Sequence, residues 1–372
     1  YWTKIVKSIS VEINGNFSSL SFDFKHEFDT GITTLLGHIG SGKSTIVDSI
    51  SGFNRQLKSI VNINGNVFDS HIPSKINLRP ISVMFQDTRL IPHMNVKENI
   101  SFALKKSKIK KTNSESLDVE HIIQSLGIKE FLNKFPDQLS GGQKQLVNLC
   151  RTLAIKSDFI ILDEPMSSLD IKNKATVLSL LKEINKKYEI PILIISHSVE
   201  EIAQISDNVI ILEEGKIVTC GKLSQIFLEK EFTNIFGKFE SSSILEGVIF
   251  EKNSSLNITK ILISGFEIVL PGDFKKIGEK IRVRIRARDI LISKNINSDS
   301  ITENQLFGNV EKIKGEDDTA FSELIIKIGN SQDFQLLLIR ITKYQLEKLK
   351  IKKDDKIYIL FKSTSFDRQA II

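Results

Sequence analysis

Gly37-His38-Ile39-Gly40-Ser41-Gly42-Lys43-Ser44, followed by Thr45, matches the pattern G-x-x-x-x-G-K-[ST] at every fixed position. The stretch follows an apolar run at 32–36 and opens a segment of helical periodicity at 44–50. Small residues allow consecutive backbone N–H groups to turn toward one anion, and the start of a helix adds its positive dipole end. We therefore predict a nucleotide-binding loop over 37–45, in which Lys43 contacts the β- and γ-phosphates and the Ser44 hydroxyl binds Mg²⁺.

The composition places the chain among ordinary globular proteins and excludes several other classes. Its 372 residues are 41% hydrophobic and 26% charged, with a formal net charge of +6. That length predicts about 2.5 domains, and the apolar runs are far shorter than a membrane-spanning helix needs. The two cysteines cannot form a disulfide framework. A charge of +6 spread over so long a chain does not indicate a nucleic-acid partner.

The first part of the chain alternates short apolar runs with segments of helical spacing. The runs at 159–162 and 191–195 are continuous and rich in β-branched residues, as in parallel strands that are buried on both faces. Between them, apolar residues at helical spacing predict a helix over 171–187. Residues 209–212 and 216–218, separated by Glu214-Gly215, predict a hairpin. The predicted class is α/β, with a P-loop nucleotide-binding core.

The residue pattern changes after about residue 236, where Asn- and Ser-rich links separate short stretches that resemble strands. Residues 281–286 alternate apolar residues with arginines, which predicts a half-buried strand whose Arg282, Arg284 and Arg286 lie on a solvated face. Similar strands are predicted at 334–340 and 356–361, with a helix near 342–350 between them. We predict a small OB-like β-barrel over 240–372, following a nucleotide-binding domain over 1–236.

Two acidic residues follow the buried run at 159–162. In an open α/β sheet, ligands bind at the carboxyl ends of the strands, where Asp163 and Glu164 would lie. We expect Asp163 to hold Mg²⁺ and Glu164 to polarise the attacking water. Alone, such acids are as often helix caps, but their combination with the phosphate loop favours a nucleotide site.

Further motifs occur in the order that is found in ABC-type ATPases, which residues 5 to 230 closely resemble. Residues 139–143 (Leu-Ser-Gly-Gly-Gln) match the signature sequence of that family, and residues 167–170 (Ser-Ser-Leu-Asp) resemble its D-loop. Gln86 stands where the family has its Q-loop glutamine, and His197 where it has its switch histidine.

The resemblance implies a role for each matching residue. Glu164, His197 and Gln86 would be catalytic, and Mg²⁺ would be held by Ser44, Gln86 and Asp163. The signature residues would contact the ATP of the opposite subunit in a head-to-tail homodimer, with Asp170 of the D-loop at the interface; these signature residues are Ser140, Gly141, Gly142 and Gln143. The adenine-stacking aromatic has no unambiguous match, and Phe17 is the candidate, although an ordinary core aromatic is equally consistent with its position.

The resemblance extends to importer ATPases, and to those for molybdate most closely. Residues 87–152 occupy the position of the family's helical subdomain. Within them, residues 87–96 resemble the sequence segment found at the same position in importers of inorganic anions. The C-terminal part resembles the molybdate-binding-type (TOBE) accessory domain. This implies ATP-driven uptake through a separate transmembrane permease at the cytoplasmic face of the cell membrane, with an extracytoplasmic substrate-binding protein in the same system.

Alternative functions remain open at this point. Iron(III) and sulfate importers carry similar accessory barrels. A soluble ABC ATPase acting on nucleic acid or ribosomes is less consistent with the spacing, since no long heptad segment separates Lys43 from Asp163. Oxyanion sensing by the barrel is also open, because the segment 300–304 places Ile301 and Glu303 where a hydroxyl donor and an arginine are expected. Charge repulsion makes an anionic side chain unfavourable there.

Overall fold

The computed structural model describes residues 8–72, 78–107, 117–237, 240–274, 276–295, 302–315 and 319–366. Helices and strands of the nucleotide-binding part are, in chain order, β1 Ile9–Phe17, β2 Leu20–Phe28, β3 Ile32–Leu36, α1 Lys43–Ser51, β4 Lys58–Ile63, β5 Asn66–Asp69, β6 Ile81–Met84, α2 Val96–Ser107, α3 Val119–Ser125, α4 Gly141–Leu153, β7 Phe159–Asp163, α5 Ile171–Tyr188, β8 Ile192–Ile195, α6 Val199–Ile205, β9 Asn208–Glu213 and β10 Lys216–Lys222.

The remaining elements begin directly after β10. They are α7 Leu223–Ile226, α8 Lys230–Phe236, β11 Ser242–Asn253, β12 Ile258–Ile263, β13 Phe266–Pro271, β14 Lys280–Arg286, β15 Leu291–Ser293, β16 Asn304–Gly315, β17 Phe321–Gly329, β18 Phe334–Thr342, α9 Lys343–Leu349 and β19 Lys356–Phe361. The strands predicted at 281–286, 334–340 and 356–361 and the helices predicted at 171–187 and 342–350 are confirmed within one to two residues at most boundaries.

The chain divides into two compact units. The first holds the described residues up to Ser198 together with Ile205–Gly221, and the second holds Val199–Gln204 and the described residues from Lys222 onward. Most of α6 and the short helices α7 and α8 thus belong to the second unit by their contacts. The domain limits drawn from the sequence, 1–236 and 240–372, describe chain order and stay a prediction.

A ten-stranded sheet forms the first unit, with the strand order β5-β4-β1-β2-β10-β9-β3-β8-β7-β6. Strands β3, β7 and β8 are buried along their whole length and run parallel, because helices cover both faces of the sheet at that point. Helix α1 packs on one face with β1 and β4, whereas α4 and α5 contribute to the core on the other. The α/β class is confirmed.

Two turns of the first unit require residues with positive φ angles. Strands β9 and β10 form the predicted hairpin, in which Glu214 and Gly215 both have positive φ, 48° and 82°. Two consecutive positive φ values give the tight turn that matches the strand twist. Helix α1 ends at Gly52 in the left-handed conformation, and its N–H bonds back to the Asp48 and Ser49 carbonyls.

The second unit contains a four-stranded sheet, β13-β12-β11-β14, and a five-stranded sheet, β15-β19-β16-β17-β18. Apolar side chains of both sheets form one continuous core, as expected for a small closed β-fold. This agrees with the predicted OB-like accessory domain.

The prediction that the arginines of β14 line a solvated face is wrong for Arg284, which is fully buried. Its guanidinium lies 2.6 Å from a Glu240 carboxylate oxygen and 3.3 Å from one of Glu200, and it donates to the Ser242 hydroxyl at 2.9 Å. A buried cation is tolerated only with such partners. The alternating sequence indicated which residues share a face, but not that acidic residues from distant segments would cover it.

No helix in the part of the chain that the structure describes has both the length and the apolar character needed to cross a membrane.

Candidate functional site

The predicted phosphate loop connects β3 to α1, in the context that its sequence pattern requires. Gly40 and Gly42 have φ of 83° and 100°, which favour glycine. A Cβ on Gly42 would approach the Phe22 ring to 2.6 Å, so the loop also needs glycine there for space. The Ile46 N–H donates to the Gly42 carbonyl at 2.9 Å, which begins the helix at the end of the loop. Ile39 is 96% exposed at the loop tip.

Lys43 is buried inside its own loop. Its ammonium group donates to the carbonyls of Gly37 and His38 at 2.8 and 2.9 Å. Burial lowers the pKa of Lys43, and this effect is opposed by the negative charges of Asp163 and Glu164. Main-chain carbonyls thus hold the ammonium group within the loop that is predicted to bind phosphate.

Three neighbouring parallel strands bring the remaining predicted residues to one edge of the sheet. Asp163 ends β7, Gln86 follows β6, and His197 follows β8. Strand β7 pairs with β6 on one side and with β8 on the other. Since the carboxyl ends of parallel strands lie together, residues that are far apart in the sequence meet beside the phosphate loop.

Glu164 makes the contacts that assemble this cluster. One of its carboxylate oxygens accepts a hydrogen bond from the Gln86 amide at 3.1 Å. The other lies 3.4 Å from Nε2 of His197, whose side chain is 45% exposed. The Glu164 carboxylate therefore contacts both of the other predicted catalytic residues, Gln86 through one oxygen and His197 through the other.

The adjacent acid, Asp163, is buried, and its surroundings disfavour the charged form of its carboxyl. Burial, together with the negative charges of Glu164 and Asp48, raises the pKa of its carboxyl to about 6, although the positive charge of Lys43 opposes the shift. Two neighbouring carboxylates repel each other, and a further cation bound at this edge would relieve that repulsion.

The residues available at this edge suit Mg²⁺. Asp163 offers a carboxylate, Ser44 a hydroxyl and Gln86 an amide oxygen, and hard cations prefer oxygen ligands. Among the described residues, no cluster of three or more His, Cys, Asp or Glu side chains could hold a metal ion.

The signature residues lie at the start of α4. Ser140 is the N-cap: its hydroxyl accepts from the Gln143 N–H at 3.3 Å, and the Gln143 side chain accepts from the Ser140 N–H at 3.0 Å. This reciprocal pair is a capping box, and it exposes Gly141 at the positive end of the helix dipole. A Cβ on Gly142 would lie 3.1 Å from the Ser168 carbonyl, so the signature and the D-loop are close neighbours. Contact with a second subunit's nucleotide stays a prediction.

Asp170 and Phe17 are placed on different elements. Asp170 is the N-cap of α5 and accepts from the Asn173 N–H at 2.8 Å, so it has a structural role within the chain; its predicted position at a dimer interface is untested. Phe17 ends β1 opposite Leu20, and Leu20 lies beside Gly42 of the phosphate loop. Phe17 is partly buried against the core of that half of the sheet, so adenine stacking stays a prediction.

The described part of the segment 300–304 serves structural purposes. The Asn304 amide is fully buried and bonds both backbone groups of Val269, accepting from N–H at 2.7 Å and donating to C=O at 3.2 Å. Glu303 accepts from the Ser363 N–H at 3.1 Å, and such backbone bonds lower the pKa of Glu303. Ser300 and Ile301 lie outside the described residues.

Sequence reasoning missed two polar residues on α4. Gln145 donates from its side chain to the Glu164 carbonyl at 2.8 Å, and Arg151 donates to the carbonyl of Arg89 in the segment after Gln86. The sequence contained only a weak indication of their roles, because they are polar residues on a helix whose other inward positions are apolar. Their partners could not be predicted without the fold.

Comparison with known proteins agrees with this geometry. Residues 18–167 match the ABC transporter family and residues 300–366 match the TOBE domain. The chain is 30% identical over 336 residues to the molybdenum import ATP-binding protein ModC of Methylococcus capsulatus, covering 90% of this chain and 92% of that protein. It is 31% identical over 341 residues to the protein of the same name from Saccharophagus degradans, covering 90% and 91%.

A solved structure of a nucleotide-free ATP-binding cassette from an ABC transporter shares the fold. The superposition has a TM-score of 0.52 at 21% identity and covers 62% of this chain and 98% of that one.

Proposed function

This chain belongs to the family of molybdenum import ATP-binding proteins, and from that premise we propose that it hydrolyses ATP to drive uptake of a small inorganic oxyanion, molybdate, through a separate permease. The observation that carries the proposal is the cluster at the sheet edge. Glu164 contacts Gln86 at 3.1 Å and lies 3.4 Å from His197, next to a phosphate loop with a buried lysine.

Each residue of the cluster has a chemical task in hydrolysis. Lys43 exchanges its carbonyl partners for the β- and γ-phosphates and stabilises the negative charge that shifts between them. Glu164 orients a water molecule and accepts its proton as the oxygen attacks the γ-phosphorus, while the bond from that phosphorus to the β–γ bridging oxygen breaks and ADP leaves. His197 donates a hydrogen bond to the γ-phosphate, and Gln86 touches both the water and the acid. Ser44, Gln86 and Asp163 would hold Mg²⁺, which would neutralise charge on the phosphates when bound.

Dimerisation follows from the number of motifs in the chain. One chain carries one phosphate loop and one signature, so two complete sites need two copies arranged head to tail. Ser140, Gly141, Gly142 and Gln143 of one copy would then cover the nucleotide in the other, near Asp170. ATP bound by both copies stabilises the closed dimer, which is a ligand-driven population shift.

The proposed assembly places the chain at the cytoplasmic face of the membrane. Residues 87–152 would meet the permease, and an extracytoplasmic binding protein would deliver the anion. Helix α2 begins in this segment with a capping contact, because the Asn95 side chain accepts from the Glu98 N–H and the Glu98 carboxylate accepts from the Asn95 N–H, both at 2.9 Å. No contact with nucleic acid is proposed.

We propose molybdate rather than iron(III) or sulfate as the cargo because both relatives named above are molybdenum import proteins. The match to this chain covers about nine-tenths of each relative. We do not assign anion sensing to the accessory unit through Glu303 and Asn304. Their polar groups are bonded to Ser363 and Val269, and Glu303 is an acid.

Uptake by the chain reconstituted with its permease tests the proposal. We expect ATP-dependent accumulation of molybdate that tungstate competes for, with sulfate and iron(III) ineffective. A Glu164→Gln complex is the matched control, since it should bind ATP and form a stable dimer while turnover falls by about 1000-fold. Uptake of iron(III) or sulfate instead of molybdate would refute the cargo, and undiminished hydrolysis by Glu164→Gln would refute the catalytic assignment.

A further inference from the structure

Gln145 is a buried amide that reaches from the signature helix to the main chain of the catalytic acid. Its side chain is on α4, is 3% exposed, and donates from Nε2 to the Glu164 carbonyl oxygen at 2.8 Å. Glutamine is seldom found so deeply buried, and a buried amide requires partners of good geometry. Nothing in the mechanism above uses Gln145.

The backbone that receives this hydrogen bond is unusual. Glu164 has φ of 48°, which is uncommon for a residue with a Cβ, and such conformations persist only when the surroundings hold them. Its N–H donates to the Ile195 carbonyl of the neighbouring strand at 3.0 Å. Its carbonyl oxygen accepts from Gln145. Both sides of the strained residue are therefore fixed by other elements.

This conformation decides where the carboxylate lies. Strand β7 ends at Asp163, and the change to positive φ at the next residue turns the chain sharply. The Glu164 carboxylate then contacts the Gln86 amide at 3.1 Å and lies 3.4 Å from His197. A relaxation of φ would redirect the side chain away from both groups, because a rotation at the main chain moves the whole carboxylate.

Ser167 also donates to the same carbonyl but is a weaker restraint. Its hydroxyl lies at 3.2 Å and its N–H at 3.4 Å, both longer than the Gln145 bond, and its side chain is exposed. Water competes more readily for the bond of an exposed donor than for that of Gln145, which is 3% exposed. Ser167 belongs to the same turn as Glu164, so it cannot connect that turn to another element.

Gln145 lies four residues beyond Gly141, about one turn or 6 Å along the same helix. We infer that Gln145 is a positioning residue: it holds Glu164 in its strained backbone conformation and ties the catalytic acid to the helix that carries the signature. A shift of α4 when the signature meets the partner's nucleotide would then be passed to Glu164 of the same chain. This inference rests on the proposed ATPase function.

The test is Gln145→Met in the full chain, because methionine keeps the volume and removes the donor. The Glu164 carbonyl retains Ser167, so the fold should survive. We expect kcat for ATP hydrolysis to fall about tenfold while KM for ATP changes by less than about twofold. Gln225→Met is the matched control: Gln225 is exposed on α7, and its substitution should leave kcat, KM and the melting temperature unchanged.

A double variant separates positioning from a general structural role. In a Glu164→Gln background, Gln145→Met should change the residual turnover and the ATP-trapped dimer by less than about twofold, since the group that it positions is already inactive. Should Gln145→Met fail to fold, Gln145→Asn, whose amide is one methylene short of the carbonyl, takes its place with the same expected results.

An unchanged kcat, an equal loss of turnover in both backgrounds, or failure of both Gln145 variants to fold would overturn the inference. Native turnover by Glu164→Gln alone would instead refute the proposed function, so the two failures are distinguishable.

Discussion

The nucleotide site and the accessory unit use buried charge in opposite ways. In the site, Asp163 is buried beside Glu164 and its pKa is raised to about 6, and Lys43 donates to main-chain carbonyls of its own loop. In the accessory unit, Arg284 is fully buried but is surrounded by Glu200, Glu240 and Ser242 at 2.6–3.3 Å. The carboxylate of Asp163 at the candidate ligand site lies beside a second negative charge. The guanidinium of Arg284, in contrast, is paired with carboxylates of opposite charge. Removal of a charge should therefore have opposite effects on stability in the two regions.

The largest stability effect is expected for Arg284→Met. It leaves Glu200 and Glu240, whose side chains are 34% and 31% exposed, beside an apolar side chain. Because the two glutamates can still be partly hydrated, we expect a loss of about 3 kcal/mol of unfolding free energy, the lower end of what breaking a buried ion pair costs. Arg282→Met is the matched control on the same strand: Arg282 pairs at 3.0 Å with Glu246, which is 56% exposed, so it should cost less than about 1 kcal/mol. Chemical denaturation measures both variants. Equal losses would contradict the contrast between the two regions.

Asp163→Asn should instead stabilise the ligand-free protein. A carboxyl whose pKa rises from 3.8 to about 6 on folding destabilises the folded state at high pH, and this penalty disappears as pH falls below 3.8. We expect a gain on the order of 2 kcal/mol above about pH 7, less than the full shift because part of the carboxyl meets solvent, and almost none at pH 4.

Denaturation of Asp163→Asn at several pH values checks both the sign and the pH window. Asp23→Asn, at an exposed position of β2, is the control and should show no such gain. A loss of stability in Asp163→Asn at pH 8 would mean that the site is already well compensated without ligand.

The smallest effect is expected for Asn304→Ala. It removes the two bonds from the amide to Val269, which should cost about 1–2 kcal/mol of unfolding free energy. Gln305→Ala, exposed at the next position of β16, should cost less than about 0.5 kcal/mol. Unchanged stability in Asn304→Ala together with altered binding of molybdate by calorimetry would restore an anion-binding role to this segment.

Much of the candidate site could be predicted from local patterns. The phosphate loop, the signature and the pair Asp163-Glu164 follow apolar runs or precede helices that are evident from their periodicity. Parallel strands buried on both faces end at a common edge, so the meeting of Glu164 and His197 could also be expected, whereas the place of Gln86 was implied by the resemblance alone. Only the structure shows the contacts themselves, which join Glu164 to Gln86 at 3.1 Å and to His197 at 3.4 Å.

Other features had no local signal. The alternation in β14 predicted a solvated arginine face, yet Arg284 is buried because Glu200, which is 84 positions away, belongs to the same compact unit. The link from Gln145 to Glu164 likewise depends on the packing of α4 against the end of β7.

The sequence by itself determined the class of fold and indicated which residues belong to the candidate site. Periodicity and small-residue motifs act over a few neighbouring residues, and one chain contains that information without reference to its packing. Only the tertiary structure decided which charges are compensated and which backbone is held under strain. Those properties depend on groups that the fold brings together from distant positions, and no local pattern specifies the partner.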